Sequence, residues 1–365
     1  MKDICETFNF DEGRRTEWEA ARHPYSALIE LTARCNMNCV HCYLEQHHME
    51  NELSYARVIE ILDILYDKGI IFITLTGGEI FTRKDFLDIY IYAKKKGFLV
   101  ELFSNGELIT DTMIETFKMY PPIMIDISIY GACEETYRKV TGRTNAFEKV
   151  IENCRRLNEA GIRVSLRTPV LTLTAGEVDS MRVIADNIGV KFAVSYEISP
   201  TIDGSDVSQK YQITPIDALM YEINDYFTHN YSPLDVASQN TRNGTPIPVF
   251  SCKIAKGSFV IDYNGNIFPC MKFRHVGQRL TKENFDDIWK SYDKYYLLET
   301  KSHNPCNSCD AAYYCEVCPA EMDFLFHDME YRTLEHCKIA RFRKSLYEGK
   351  FKIYEDALKA WKLLK

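Results

Sequence analysis

Ser26-Ala-Leu-Ile-Glu-Leu-Thr-Ala-Arg-Cys35-Asn-Met-Asn-Cys39-Val-His-Cys42 joins a short apolar run to a loop that carries three cysteines. The run, 26–31, is the first of six strand-like stretches; the others are 70–75, 98–103, 123–129, 162–167 and 191–198. Most are rich in Ile, Val and Phe, the composition of parallel strands buried on both faces. Amphipathic stretches alternate with them at 55–68, 86–96 and 147–160. In the first of these Val58, Ile61, Leu62 and Leu65 share a face, and Gly69, Gly97 and Gly161 follow the three as C-terminal stops.

Repeated strand–helix units with right-handed crossovers build a parallel sheet or barrel. Six units fall short of the eight of a closed barrel. The expected fold is therefore α/β, an open (β/α)6 TIM-like partial barrel followed by a cysteine-rich C-terminal domain. The layout is a lead segment 1–25, the barrel 26–205, a linker region 206–250, the cysteine-rich domain 251–345 and a C-terminal helix within 346–365. A polar loop at 201–212 and a helix at 215–226 mark the exit from the barrel.

The chain has 365 residues, 46% hydrophobic and 26% charged, with a formal net charge of −8. That composition is globular rather than disordered and offers no basic stripe for nucleic acid. The first 24 residues hold no apolar signal core, and no run approaches the roughly 20 apolar residues of a membrane helix. The expected location is cytoplasmic. Ten of the 13 cysteines fall into two groups, and only Cys5, Cys133 and Cys154 stand apart. Grouped thiols in an unexported chain point to metal rather than disulfides.

Cys35, Cys39 and Cys42 supply three thiolates in one short loop. They can hold three corners of a cubane cluster and leave the fourth iron open, as a catalytic metal requires. Zinc on the same cysteines with His41 or His47 is the alternative, although zinc favours paired ligands two residues apart.

The C-x3-C-x2-C spacing resembles that of the radical SAM superfamily. The resemblance implies a [4Fe–4S] cluster whose open iron chelates S-adenosylmethionine, reductive cleavage of its sulfonium to a 5′-deoxyadenosyl radical, and hydrogen abstraction from a substrate. His41 occupies the position before the third cysteine, where the family usually has an aromatic residue. Thr76-Gly77-Gly78-Glu79 resembles the family's Gly-Gly-Glu-Pro, with Ile80 in place of proline. There the glycines permit close approach to the methionine amino group, and the carboxylate suits a cation. Ser104-Asn105-Gly106 and Ser128 with Tyr130-Gly131 resemble the motifs at the next two strand ends, implying ribose contacts. Arg138 or Arg167 is the expected partner of the methionine carboxylate. Each motif lies at the C-terminal end of its strand, the rim where β/α barrels carry their active sites.

The second group comprises Cys252, Gly265-Asn-Ile-Phe-Pro-Cys270, Cys306-x2-Cys309-x5-Cys315-x2-Cys318 and Cys337. It resembles the SPASM extension, which normally holds two auxiliary [4Fe–4S] clusters. Carried over, Cys306, Cys309, Cys315 and Cys337 hold one, and Cys252, Cys270 and Cys318 the other. The gap between Cys315 and Cys318 is two residues where three are usual. The second set lacks a fourth cysteine, so either an iron stays open to a substrate thiolate or peptide group, or Cys5, another side chain or water completes it. Two zinc-like pairs within 306–318 are the alternative.

SPASM enzymes typically modify ribosomally made peptides, by thioether or other crosslinks or by epimerisation. Met271 stands where sulfatase maturases carry a proton-accepting Asp, which counts against that activity. The alternatives are a tetrapyrrole or other small-molecule precursor and, as a contrasting class, a non-catalytic iron–sulfur or zinc protein. About 25 residues before the first strand are too few for a leader-binding domain, so the expected partners are a peptide or protein substrate, a separate leader-binding protein, and a flavodoxin- or ferredoxin-type reductant. Asp126, Tyr130, Tyr196, Glu197 and Asp262 are candidates for substrate contact or proton transfer.

Overall fold

The structure is a computed structural model that describes residues 12–44, 52–202, 205–229, 245–250, 252 and 254–365. His47 and Cys5, weighed above as ligands, lie outside the described residues, as do parts of the 201–212 loop and the 206–250 stretch. The described chain forms two compact units, residues 1–212 with 253–293, and residues 213–252 with 294–365.

All six expected strands are present in the first unit: β1 Ser26–Thr32, β2 Phe72–Gly77, β3 Leu99–Ser104, β4 Met124–Ser128, β5 Val164–Pro169 and β6 Lys191–Ser195. They pair in parallel and in sequence order. Up to residue 212 the α-helices of this unit are α1 Glu12–Ala20, α2 Tyr55–Asp67, α3 Phe86–Lys96, α4 Asp111–Met119, α5 Glu134–Thr141, α6 Phe147–Glu159 and α7 Val178–Ile188, and a further short helix spans Phe285–Ser291. Ser54 caps α2 by accepting from Arg57 N, and the helix buries Val58, Ile61, Leu62, Ile64 and Leu65. Each such side chain contributes about 1.5–3 kcal/mol when removed from water.

The sheet is wider than six strands. β7 Ser258–Ile261 lies parallel to β1, and β8 Asn266–Phe268 and β9 Gln278–Arg279 continue it antiparallel, giving the order β6-β5-β4-β3-β2-β1-β7-β8-β9. The stretch read as the start of the cysteine-rich domain thus extends the barrel sheet. Nor are the strands apolar on both faces. Ile29, Leu75, Leu102 and Ile125 stand in register as one buried row. The opposite face carries Glu30, Thr74, Glu101, Asp126 and Arg167, where Thr74 Oγ1 donates to Glu101 (3.0 Å) and Arg167 pairs with Asp126 (2.8 Å).

The second unit has its own core. Its helices are α8 Pro215–His229, α9 Pro319–Phe326, α10 Leu334–Tyr347 and α11 Tyr354–Lys362, and α8, α10 and α11 pack together through Leu219, Ile223, Phe342, Leu346 and Trp361. Glu222 on α8 takes Arg343 of α10 at 2.5 Å, and Arg343 also reaches Glu316 at 3.0 Å.

Candidate active site

The loop after β1 is held from several sides. Asn38 N and Val40 N donate to the carbonyls of Thr141 and Val140 at the end of α5 (2.8 and 2.9 Å). The end of β2 presses against the same loop: Gly78 N donates to Thr32 O (2.8 Å) and Glu79 N to Arg34 O (2.7 Å). A Cβ on Gly77 would stand 2.2 Å from Thr32 O, and one on Gly78 2.3 Å from Arg34 O. Both glycines are therefore required by contact inside the protein itself, whereas the sequence pattern suggested a ligand as the reason.

Cys35, Cys39 and Cys42 lie within electrostatic reach of one another. Burial pushes the Cys35 thiol up to about 12 and raises Cys39 and Cys42 as well. Three half-buried, desolvated thiols of this kind stay protonated unless metal charge draws the protons off. Donors already face the sulfurs: Met37 N (3.4 Å) and Asn105 Nδ2 (3.7 Å) point at Cys35 Sγ, and the Tyr130 hydroxyl at Cys39. The donor set fits an iron–sulfur cluster. Among the described residues no group of three or more His, Cys, Asp or Glu closes around a single metal ion.

The motif residues divide by what they touch. Glu79 is fully buried and accepts from Phe81 N, Ser104 Oγ and Asn105 N. Burial raises its pKa to about 7 against the pull of those donors. Its carboxylate ties the ends of β2 and β3 together, and Ser104 is turned toward it. Asn105 faces Cys35 and Asn36. Ser128, half-buried at the end of β4, hydrogen-bonds Tyr130, whose ring lies 5.1 Å from that of His41. Burial lowers the His41 pKa to about 4, and its Nδ1 is buried without a hydrogen-bond partner. Arg138 is exposed on α5 beside Glu135. Arg167 is committed to Asp126 and lies over the Phe103 ring.

Of the other candidates, Glu197 pairs with Lys272 (2.8 Å), and Asp262 accepts from Asn264 N and Asn266 N in the β7–β8 turn. Sequence reasoning missed a polar chain at this site. Asn36 Nδ2 donates to Glu107 (2.6 Å), and Arg143 closes on the same carboxylate (2.6 and 3.2 Å). A separate polar cavity of about 470 Å³, lined by Glu52, Ser54, Arg57, Asn264 and Arg279, contains none of the cysteines.

In the second unit, Asn304 Oδ1 accepts from Cys306 N (2.8 Å), and Cys309 N donates to Cys306 O (3.3 Å). Burial raises the Cys315 thiol; Arg332 opposes this, while Cys306 and Cys337 add to it, so these cysteines are neighbours. Cys337 lies in the first turn of α10 and Cys318 stands at the N-cap position of α9 without a side-chain capping bond; a helix N-terminus favours a thiolate. Cys252 belongs to this unit and is exposed; Cys270 follows β8 in the first unit.

Residues 29–184 match the Radical SAM superfamily, and residues 252–310 match the SPASM iron–sulfur cluster-binding domain. The chain belongs to the radical SAM superfamily and carries a SPASM domain. It is an enzyme of that class, with S-adenosylmethionine and iron–sulfur as its cofactors. It is 31% identical over 175 residues to the antilisterial bacteriocin subtilosin biosynthesis protein AlbA of Bacillus subtilis, an alignment covering 47% of this chain and 39% of that protein. It is 24% identical over 316 residues to the AdoMet-dependent heme synthase of Methanosarcina barkeri, covering 80% and 90%. Its fold is similar to that of Streptococcus suis SuiB bound to the precursor peptide SuiA, with a TM-score of 0.63 at 17% identity, covering 85% of this chain and 75% of that one. Among the described residues no helix is long and apolar enough to cross a membrane.

Proposed function

We propose that the protein modifies a ribosomally made peptide, forming a thioether or other crosslink or inverting a stereocentre. The likeness to AlbA, a bacteriocin biosynthesis protein, carries this reading; SuiB, solved with its precursor peptide, supports it. Cys35, Cys39 and Cys42 would hold the cluster, which when bound and reduced would supply the electron that splits S-adenosylmethionine. The chain's own part is to hold that loop between β2 and α5, to keep the His41 imidazole neutral beside it, and to seat the cofactor on the rim near Gly77, Gly78 and Ser128. Arg138 is the side chain free to turn toward a carboxylate; Arg167 would first have to leave Asp126.

Cys306, Cys309, Cys315 and Cys337 hold one auxiliary cluster, and Cys252, Cys270 and Cys318 a second. The reaction takes place in the cytoplasm with a flavodoxin- or ferredoxin-type donor. A second reading, action on a tetrapyrrole, is favoured by the heme synthase alignment, which runs through most of both chains. The deciding experiment incubates the anaerobically reconstituted enzyme, reductant and S-adenosylmethionine with the short peptide encoded beside its gene, or with an iron porphyrin. A 2 Da mass loss or solvent deuterium uptake in the peptide is the expected result. Turnover of the porphyrin alone selects the second reading.

A further inference from the structure

Asn105 is held by its backbone N and by both polar atoms of its side-chain amide. Its backbone N donates to Glu79 Oε2 (2.6 Å), its Oδ1 accepts from Glu107 N (3.0 Å), and its Nδ2 donates to Asn36 Oδ1 (2.8 Å) and Cys35 Sγ (3.7 Å). The residue is 6% exposed. Flipping the amide would set its oxygen against two acceptors, Asn36 Oδ1 and the sulfur, and its NH2 against the Glu107 N–H. The network therefore determines which way the amide points. Asn36 is locked in turn: its Nδ2 donates to Glu107 Oε2, whose carboxylate Arg143 neutralises. Met37 N is the other donor to this sulfur, at 3.4 Å, and Asn36 Oδ1 stands 4.0 Å from it.

We propose that Asn105 tunes the reduction potential of the cluster on Cys35, Cys39 and Cys42 through a side-chain N–H···S hydrogen bond. It is a positioning residue for that centre rather than a contact of the ribose. The inference rests on the cluster reading above. A one-electron reduction adds negative charge that spreads onto the ligand sulfurs, and a donor aimed at a sulfur stabilises the reduced form more than the oxidised one. Met37 N is a backbone group, so Asn105 supplies the sulfur donor that substitution can remove. The Asn36–Glu107–Arg143 chain keeps that donor aimed.

The test is a potentiometric titration of the full reconstituted chain, with dithionite as the one-electron donor. The cluster is followed through the reduced EPR signal that shifts on adding S-adenosylmethionine. Asn105→Ala is expected to load the same iron and to shift that midpoint to lower potential, leaving the other centres in place. Asn105→Asp keeps the acceptor for Glu107 N, and it is expected to shift the midpoint in the same direction and further. In D2O-exchanged wild-type protein, pulsed ENDOR should show an exchangeable deuteron coupled to this cluster that is missing from either variant. An unchanged midpoint at full iron content overturns the proposal. If neither variant loads, absence of a second exchangeable deuteron beside that of Met37 in the wild type overturns it instead. A wild-type chain with no S-adenosylmethionine-responsive signal would instead sink the cluster reading itself.

Discussion

Arg274 closes on Glu30 with two guanidinium nitrogens, at 3.0 and 2.6 Å, across 244 residues of sequence. Glu30 is fully buried in β1 and also accepts from the Tyr43 hydroxyl (2.6 Å), one residue beyond Cys42. Arg274 lies over the Tyr43 ring and donates to Met271 O, the residue after Cys270. One carboxylate thus joins the first barrel strand, the cysteine loop and the segment after Cys270. Replacing Arg274 with Met strands a buried charge, which costs about 3–5 kcal/mol. Guanidinium denaturation of the variant should show a loss of that size. Adding Glu30→Gln should recover part of it, because the two changes remove a single interaction.

Gly78→Ala places a methyl group 2.3 Å from Arg34 O and 2.6 Å from Ala33 O. Both are backbone atoms of the cysteine loop and cannot swing aside. The variant should lose about four irons per chain, those of one cubane, and keep the rest. Iron analysis with EPR checks this; full iron with a normal S-adenosylmethionine response contradicts it.

The six barrel strands were legible because each is an apolar run that alternates with a helix. Their onsets were read one or two residues early at 70, 98, 123 and 162, since Ile70, Phe98, Ile123 and Ile162 are apolar residues that precede strand pairing. β7–β9 were not legible. They are two to four residues long, and cysteine spacing masks any period of two. α5 is eight residues and mostly polar outside Tyr137 and Val140, too short for a clear helical period. At the site, residue types were legible and partners were not. Glu79 reads as a ligand for a cation until its partners Ser104 and Asn105 arrive from another strand, and Asp126 looks available until Arg167 pairs with it.

His41 gives a signed pH effect. Burial depresses its pKa from 6.5 in the open chain to about 4 in the fold. The folded state therefore binds this proton less readily. Stability present above pH 6.5 is lost as pH falls toward 4, by about 3 kcal/mol. His41→Phe removes the titration. Urea denaturation of the cluster-free protein should show the variant matching or exceeding wild type at pH 7 and gaining on it steadily down to pH 4. A constant difference between the two over that range would contradict the assignment.

In the second unit Arg343 braces the segment between Cys315 and Cys318 by reaching Glu316 while holding Glu222. Tyr347 donates to the same Glu222 (3.1 Å). Arg343→Met should cost about 3–5 kcal/mol by leaving the buried Glu222 charge with no cation and the Tyr347 hydroxyl as its remaining donor. It should also lower auxiliary iron without touching the S-adenosylmethionine-responsive signal. Arg343→Lys, which keeps the charge but not the fork, should fall between the two.

The reading rests on Cys35, Cys39 and Cys42 forming a centre that cleaves S-adenosylmethionine reductively. The most direct measurement is 5′-deoxyadenosine formed by the anaerobically reconstituted chain with dithionite and S-adenosylmethionine, compared with a variant in which all three cysteines are Ala. 5′-Deoxyadenosine is expected from the wild type and none from the variant, which keeps its auxiliary iron. Stoichiometric zinc with no 5′-deoxyadenosine from the wild type, or equal amounts from both proteins, would contradict it.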